Sequence, residues 1–281
     1  MEYSETKQIP PGNELDMKNR PNHGEFSYKG KGLFKDKTVL ITGGDSGIGK
    51  ATAIAFAREG ANVAIVYLSS LEREDAQDTL NWIKHAKAEG IAFELDLQKA
   101  ENCKKIVEDT VKKFGKIDVL INNAAFQREH KTFEEITIED WKQTYQTNLD
   151  ALFFMIKYSL KFIPKGGSII NTTSVNVYNP NPSLLAYAST KTAIQNITAS
   201  MSKMFLEQGK EIRVNAVAPG PIWTPLIPTT ISDVDNFGKN TPMGRPGQPC
   251  EIAPIYVFLA SDQASYISGA IIAATGGRIT L

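Results

Sequence analysis

From Lys37 to the end of the chain, short runs rich in Val, Ile and Ala alternate with longer amphipathic stretches. Repeated strand–helix–strand units of this kind build a parallel sheet with helices on its faces. We predict seven strands, at Thr38–Thr42, Asn62–Tyr67, Ile91–Leu95, Val119–Asn122, Ser168–Thr172, Arg213–Val217 and Ala270–Ala274. We predict six helices, at Gly47–Glu59, Glu72–Ala88, Glu101–Phe114, Ile138–Phe162, Leu184–Gln208 and Pro249–Ala260. The predicted fold class is α/β, a single doubly wound domain with a seven-stranded parallel sheet flanked by helices.

Two segments, 1–35 and 219–248, lack this alternation because prolines and glycines interrupt them. We predict that 1–35 is an N-terminal extended arm and that 36–281 is the folded domain. The arm is either a frayed terminus or a strap on a neighbouring subunit. The strap interpretation rests on apolar residues near the end of the arm, which are Phe26, Tyr28, Leu33 and Phe34. A segment as long as 219–248 without periodicity predicts a lid over a site.

The composition narrows the choice of partners. Among 281 residues, 31 are Lys or Arg and 31 are Asp or Glu, so the formal net charge is zero. The sequence therefore lacks the basic excess of a nucleic-acid binder, and we expect a small-molecule partner. Cys103 and Cys250 are far apart and belong to no ligand cluster, which predicts no metal site and a reducing, cytoplasmic location. No apolar run approaches the roughly 18 residues of a membrane span, and Met1–Pro10 lacks a signal-peptide core.

A glycine-rich turn, TGGDSGIG at 42–49, follows the first predicted strand and precedes a helix. Gly43, Gly47 and Gly49 permit a tight turn, let backbone N–H groups approach a pyrophosphate and let helix and strand lie close together. The N-terminus of the following helix favours an anion. This context predicts a dinucleotide-binding, Rossmann-like domain.

A second pattern places Tyr187 four residues before Lys191 in a predicted helix, and Ser174 at the end of the preceding strand. Positions i and i+4 share a helix face, so the phenol and the ammonium can point into one pocket. A tyrosine with its ordinary pKa of about 10 is a poor base at neutral pH. A nearby cation favours the phenolate, so this pair predicts proton transfer.

Over about residues 36–281 the sequence resembles the short-chain dehydrogenase/reductase (SDR) family. The resemblance rests on the glycine turn and on Asn122-Asn123-Ala124-Ala125, Asn148, Ser174, Tyr187-x-x-x-Lys191 and Pro219-Gly220. It implies that Tyr187 is the general acid/base and that Ser174 positions the substrate oxygen. It also implies that Lys191 binds the nicotinamide ribose and lowers the pKa of Tyr187, and that Asn148 holds a water in a proton relay. The GGDSGIG opening and the arm resemble a bacterial branch of general stress proteins and glucose 1-dehydrogenases.

The resemblance also implies cofactor-binding positions. Asp96 matches a carboxylate that binds the adenine amino group, although a lone Asp there is also typical of a helix cap. Asn123 and Ala124 match the segment beside the adenine ribose, and Ala125 stands where the family usually has glycine. The full set of implied cofactor positions is Gly43, Asp45, Ser46, Gly47, Ile48, Gly49, Tyr67, Leu68, Asp96, Leu97, Asn123, Ala124, Tyr187, Lys191, Pro219, Gly220, Ile222 and Thr224.

Cofactor choice depends on the end of the second strand, where an acidic residue would accept hydrogen bonds from the ribose 2′-OH and select NAD. Tyr67 is not acidic, and neither Ser46 nor Leu68 is the basic residue usual in NADP-dependent members. Asp45 would repel a 2′-phosphate. Residues that could receive such a phosphate are Ser69, Ser70 and Arg73. The interpretation favours NAD, with NADP as the alternative.

These patterns predict an NAD(P)-dependent oxidoreductase that moves a hydride between nicotinamide and a small carbonyl compound or secondary alcohol. The expected pocket lining is mostly apolar or aromatic, at Phe126, Val175, Tyr178, Trp223 and 225–237. One alternative is a catalytically silent dinucleotide-binding sensor or scaffold on the same fold. Another is a lyase or epimerase, which the lack of a large C-terminal substrate domain disfavours. The resemblance implies a homotetramer, with the last helix and the terminal strand at two-fold axes.

Overall fold

Seven strands are present in the computed structural model, which describes residues 5, 7–278 and 280. They are β1 Thr38–Thr42, β2 Asn62–Tyr67, β3 Gly90–Glu94, β4 Val119–Asn122, β5 Ser168–Thr172, β6 Arg213–Pro219 and β7 Ile271–Ala274. All neighbouring pairs are parallel, and the strand order is β3-β2-β1-β4-β5-β6-β7. The predicted doubly wound α/β sheet is confirmed. The prediction missed only strand ends: β3 begins and ends one residue earlier, β6 continues to Pro219 and β7 begins at Ile271.

Eight α-helices lie within the described residues. They are α1 Gly47–Arg58, α2 Arg73–His85, α3 Ala100–Phe114, α4 Ile138–Tyr145, α5 Ala151–Ser159, α6 Leu185–Glu207, α7 Leu226–Thr230 and α8 Pro249–Ala260. The prediction of one helix over Ile138–Phe162 was wrong, because a π-helical turn at Gln146–Asp150 separates α4 from α5. The short α7, inside the predicted lid, was not anticipated. None of these helices combines the length and apolar character that crossing a membrane requires.

Helices cover both faces of the sheet. Successive strand residues point to opposite faces, so in β1 Ile41 packs with one apolar layer and Leu40 with the other. The Ile41 layer is closed by α1, α2 and α8, and the Leu40 layer by α3, α5 and α6. The sheet is thereby buried on both sides, which explains why its strands read as nearly continuous apolar runs.

The strand order reverses between β1 and β4, and the crevice at such a switch point is where ligands bind in sheets of this type. The chain leaving β4 is fastened to the end of β1 there. Thr42 Oγ1 accepts hydrogen bonds from the N–H groups of Asn123 (2.9 Å) and Ala124 (3.1 Å), and Asn123 Nδ2 donates to the carbonyl of Gly43 (3.0 Å). These bonds fix the backbone at the bottom of the crevice.

The described part of the arm lies along the body of its own chain. The carboxylate of Glu59 accepts hydrogen bonds from the Tyr28 hydroxyl (2.7 Å) and from the Lys31 N–H (2.8 Å). The Phe34 ring packs edge-on against Phe56 of α1, with centroids 4.8 Å apart. These contacts join the arm to the body of the same chain, and contact of the arm with a neighbouring subunit stays a prediction.

Candidate active site

A cavity of about 1070 Å³ opens at the carboxyl edge of the sheet, above the switch point. Every cofactor position implied by the sequence lines it except Gly49. The lining includes Gly43, Asp45, Ser46, Gly47, Ile48, Tyr67, Leu68, Asp96, Leu97, Asn123, Ala124, Tyr187, Lys191, Pro219, Gly220, Ile222 and Thr224. Residues that are more than 170 positions apart in sequence thus meet in one elongated site. Its volume is at the upper end for small-molecule and cofactor sites.

The glycine-rich turn fits a dinucleotide. Gly47 adopts a left-handed φ of 50°, and a Cβ there would lie 2.9 Å from Thr224 Cγ2, so the backbone itself faces the cavity. Among the roles predicted for the turn glycines, Gly49 has that of letting helix and strand lie close together. A Cβ on Gly49 would lie 1.7 Å from the Gly43 carbonyl oxygen, so this glycine lets α1 pack on the turn and does not line the cavity.

Three predicted catalytic residues meet at the inner end of the cavity. Tyr187 and Lys191 occupy successive turns of α6, and Ser174 begins the short turn after β5. Lys191 Nζ lies 5.3 Å from the centroid of the Tyr187 ring and donates a hydrogen bond to the Thr172 carbonyl (2.8 Å). Ser174 Oγ accepts hydrogen bonds from the backbone and side-chain amides of Asn176, both at 3.2 Å.

Burial moves the pKa values of this pair in opposite directions. It raises the pKa of Tyr187 to about 12, although a hydrogen bond with Ser174 acts to lower it. Burial also lowers the pKa of Lys191 to about 7, because the ammonium lies against a neutral carbonyl instead of a carboxylate. For Tyr187, burial therefore outweighs the lowering of the pKa that the resemblance implies.

Asn148, the fourth predicted catalytic residue, does not line the large cavity. Its side chain accepts a hydrogen bond from the Phe126 N–H (2.8 Å) and donates to the Phe126 carbonyl (2.9 Å) and to Thr190 (3.0 Å). It does line a second cavity of about 10 Å³, which it shares with Lys191 and Asn122. A volume near this size holds about one water. The buried Asn122 Oδ1, which has no hydrogen-bond partner among the described residues, supplies a polar acceptor there.

The end of the cavity beside β2 is acidic. Asp45 and Glu72 both line it and both are buried. Burial raises the pKa of each carboxyl, and the charge of Glu72 raises that of Asp45 further. Glu72 accepts hydrogen bonds from the N–H groups of Leu68 (2.9 Å) and Ser69 (3.2 Å). The capping-box pattern Ser69-x-x-Glu72 could have placed Glu72 here from sequence.

Two expected pocket residues lie elsewhere. Tyr178 is not among the cavity residues, and Trp223 is fully buried beneath the lid. Trp223 packs against Met17 and Ile227 and donates its indole N–H to the Asn19 carbonyl (2.6 Å), so it anchors the arm. The other expected lining is present, at Phe126, Val175, Pro225, Leu226, Ile227, Ile231, Asp233, Asn236 and Phe237. The sequence did not point to Pro10, Pro11, Glu72 and Arg278, which also line the cavity.

Fold and site together define a Rossmann-type oxidoreductase that uses a nicotinamide dinucleotide. A family model described as enoyl-(acyl carrier protein) reductase matches residues 43–278. The chain belongs to the short-chain dehydrogenase/reductase family, and it is an NAD(P)-dependent dehydrogenase or reductase.

Two plant proteins and one bacterial protein are similar in sequence to this chain. NADPH-dependent aldehyde reductase 1, chloroplastic, of Arabidopsis thaliana is 47% identical over 96% of this chain and 95% of its own length. Glucose and ribitol dehydrogenase of Daucus carota is 45% identical over 97% and 95%. General stress protein 39 of Bacillus subtilis (strain 168) is 44% identical over 98% and 96%. The predicted likeness to the general stress and glucose dehydrogenase branch is confirmed.

Solved structures show the same fold with either cofactor. A short-chain dehydrogenase from Burkholderia cenocepacia J2315 in complex with NADP superposes with a TM-score of 0.81 at 27% identity, over 87% of this chain and 98% of that one. A 3-ketoacyl-(acyl-carrier-protein) reductase from Brucella melitensis complexed with NADH gives 0.79 at 29% identity, over 87% and 99%. Dinucleotide binding is therefore supported, while the predicted preference for NAD is not.

Proposed function

We propose that this protein reduces a small carbonyl compound by hydride transfer from a nicotinamide dinucleotide, with Tyr187 as the general acid. The observation that carries the proposal is the position of Tyr187, Ser174 and Lys191 at the inner end of a dinucleotide-sized cavity. The reverse oxidation of a secondary alcohol would use the same groups. One relative is named an aldehyde reductase and another a glucose and ribitol dehydrogenase, which supports this range of substrates.

The proton chemistry follows from the burial of Tyr187. With a pKa of about 12 the phenol keeps its proton at neutral pH, so it can donate that proton to a carbonyl oxygen. Ser174 lies beside the phenol and orients the same oxygen. Bound cofactor supplies the hydride, and the enzyme holds the acceptor carbon and the proton donor in place.

Lys191 serves two parts of the same site. Its ammonium faces the cavity where a nicotinamide ribose would be held, and its other side faces the small cavity shared with Asn148 and Asn122. We assign a water to that small cavity, where it would return a proton toward Tyr187 after each turnover. Asn148, which lies in the π-helical turn and is held by Phe126, lines the same small cavity.

The lining indicates the substrate class. Val175, Leu184, Ile227 and Phe237 present apolar surface around the inner end of the cavity. Arg278 lines the outer part and is held by Asn240. A modest aldehyde or ketone fits this environment better than a polyanion, because no arginine cluster faces the reacting end among the described residues.

The test replaces Tyr187 by Phe. This change removes only the hydroxyl, so cofactor binding should persist while turnover falls by the ~10²–10⁴-fold of a lost general acid/base. A panel of aldehydes, ketones, sugars and secondary alcohols, followed by nicotinamide absorbance, measures turnover. Unchanged turnover would remove Tyr187 from the mechanism. A wild-type protein that binds dinucleotide without turning over any of the panel would favour the sensor alternative.

For the cofactor itself, we propose that NAD(H) is favoured and that NADP(H) is accepted less well. Asp45 and Glu72 are acidic groups that line the cavity near the end of β2. Arg73 Nη2 donates a hydrogen bond to Glu94 Oε2 at 2.8 Å. Asp45→Ser should raise the ratio of kcat/KM for NADPH over NADH, because it removes a carboxyl that we expect to face the 2′ position of a bound cofactor. Steady-state constants for both cofactors decide this. An unchanged ratio would place Asp45 away from the ribose.

We further propose an arm at 1–35, a catalytic domain at 36–281 and a homotetramer in the cytoplasm. Apolar side chains exposed on and after α8 support a subunit interface there, since Phe258 is 38% exposed and Tyr266 is fully exposed. Light scattering measures the mass in solution. A monomeric mass would contradict the tetramer.

A further inference from the structure

A buried carboxylate from the arm reaches the glycine-rich turn. Glu14 is 2% exposed, and its Oε2 accepts a hydrogen bond from the Gly47 N–H at 3.1 Å. Its Oε1 accepts a second bond from Lys50 Nζ at 2.6 Å. Gly47 and Lys50 are both in the first turn of α1, so a residue 33 positions before Gly47 caps the helix that begins at the cavity.

The Gly47 N–H lies in the part of α1 that would hold an anion. Lys50 donates its N–H to the Ser46 carbonyl at 3.0 Å, and the N–H groups of residues 47, 48 and 49 precede it in the first turn. Such groups have no partner within their own helix. Glu14 occupies the N–H of Gly47 and leaves the next ones to a ligand. Gly47 and Ile48 line the cavity directly.

Glu14 is itself held on several sides. Its N–H donates to Asp75 Oδ2 at 2.7 Å, and His23 Nε2 lies 2.9 Å from Oε2. Burial alone would raise the pKa of Glu14, but His23 and Lys50 outweigh it and lower the pKa to about 2. The carboxylate is therefore charged at neutral pH, and its charge is balanced locally instead of opposing a bound phosphate.

The same stretch of the arm touches the lid. The Gln8 N–H donates to the Pro228 carbonyl in α7 at 3.2 Å. A Cβ on Gly12 would lie 2.7 Å from Thr229 Cγ2, so arm and lid are in close contact. Pro10 and Pro11 line the cavity between these points. The arm thus spans from the lid to the glycine-rich turn along one wall of the site.

We propose that Glu14 is a positioning residue of the dinucleotide site, which fixes the N-terminus of α1 and ties it through the arm to the lid. The role rests on the proposed function, because it assumes that the turn holds the cofactor. Fixing the turn before binding lowers the conformational cost that binding would otherwise meet. Loss of Glu14 should therefore weaken cofactor binding more than it slows the chemical step.

The competing explanation is that Glu14 only neutralises Lys50. The chain offers a matched control, because Lys50 Nζ also contacts Asp78 Oδ2 at 2.8 Å. Asp78→Asn removes one carboxylate from Lys50 and leaves the bond from Gly47 to Glu14 in place. Glu74→Gln, at an exposed position in the first turn of α2, controls for the change in net charge.

The first measurement is the Kd of NADH and NADPH, read from the fluorescence of the reduced nicotinamide, for the full-length wild type and each variant. Glu14→Ala should raise both Kd values by about tenfold and change kcat at saturating cofactor by less. Glu14→Gln keeps an oxygen for the Gly47 N–H, so its Kd should fall between those of wild type and Glu14→Ala. Asp78→Asn and Glu74→Gln should bind as the wild type does.

The second measurement needs no cofactor. Hydrogen exchange of the Gly47 amide should accelerate in Glu14→Ala and stay slow in Asp78→Asn, because only the first variant removes its acceptor. Wild-type Kd values in Glu14→Ala, or equal weakening in Asp78→Asn, would overturn the proposal. A wild-type chain that binds neither NADH nor NADPH would instead overturn the proposed function, and the exchange rates would still report whether Glu14 holds the turn.

Discussion

Two buried lysines, one under the arm and one in the catalytic pocket, show how differently this protein uses the same side chain. Lys50 and Lys191 are each 2% exposed. Lys50 contacts the carboxylates of Glu14 and Asp78, and its pKa is raised although burial opposes this. Lys191 contacts the neutral Thr172 carbonyl, and burial lowers its pKa to about 7. Burial alone therefore does not set the charge of a lysine here; its partners do.

The difference separates a structural ion pair from a reactive group. A paired ammonium in a closed network holds its proton and its neighbours in place. A lysine that contacts a neutral group and has a pKa near 7 can change its charge when a ligand binds. This property suits proton transfer and ribose binding. Lys50, beside the arm, is therefore part of a structural ion pair, and Lys191, at the inner end of the cavity, is suited to reaction.

The variant Lys191→Met should have the largest effect and tests this comparison most directly. It removes the group that faces both the cavity and the small water-sized cavity, so turnover should fall by about 10²–10⁴-fold. Steady-state kinetics at saturating cofactor measure the loss, and thermal melting verifies the fold. If Lys50→Met reduced turnover more than Lys191→Met did, the assignment of the two lysines would be reversed.

The next effect concerns stability. Lys50→Met leaves Glu14 buried without one of its cationic partners, and breaking a buried pair in this way costs about 3–5 kcal/mol. Urea unfolding should show this loss. The double variant with Glu14→Gln should recover part of it, because the stranded charge is gone. Additive effects of the two changes would show that the residues are not coupled.

The smallest effect is on the pH dependence of stability. Burial would lower the pKa of His23, but Glu14 and Glu25 outweigh it and the nearby charge of Lys50, so the pKa is raised. The proton on His23 therefore stabilises the folded state below about pH 6.5, and this stabilisation is lost as the pH rises through the raised pKa. Unfolding of wild type and His23→Gln from pH 6 to 9 measures it, and the wild-type advantage should shrink as the pH rises. Parallel curves would contradict this.

Most of the sheet could be predicted from local pattern. Four strands, β1, β2, β4 and β5, have the predicted ends, because buried strands of a parallel sheet are continuous apolar runs bounded by turn residues. The helix over Ile138–Phe162 could not be predicted correctly, because π-helical turns are rare and lie inside longer helical stretches, so the pattern indicates one continuous helix.

The sequence by itself determined the parts of the site that local spacing encodes. The glycine turn at 42–49 and the four-residue interval from Tyr187 to Lys191 place groups on one turn or one helix face wherever the chain goes next. Local spacing did not determine the pKa values of Tyr187 and Lys191. The sequence predicts a tyrosine activated by a neighbouring ammonium, whereas burial raises the pKa of Tyr187 to about 12.

Only the tertiary structure decided the contacts that span long distances along the chain. Glu14 and Gly47 are 33 positions apart, and Trp223 and Asn19 are 204 apart. No periodicity links such residues, since their meeting depends on how the arm, α1 and the lid pack. The partners of Lys50, and the lack of a charged partner for Lys191 among the described residues, follow from that packing. For this physical reason the charge of a buried group is a property of the fold.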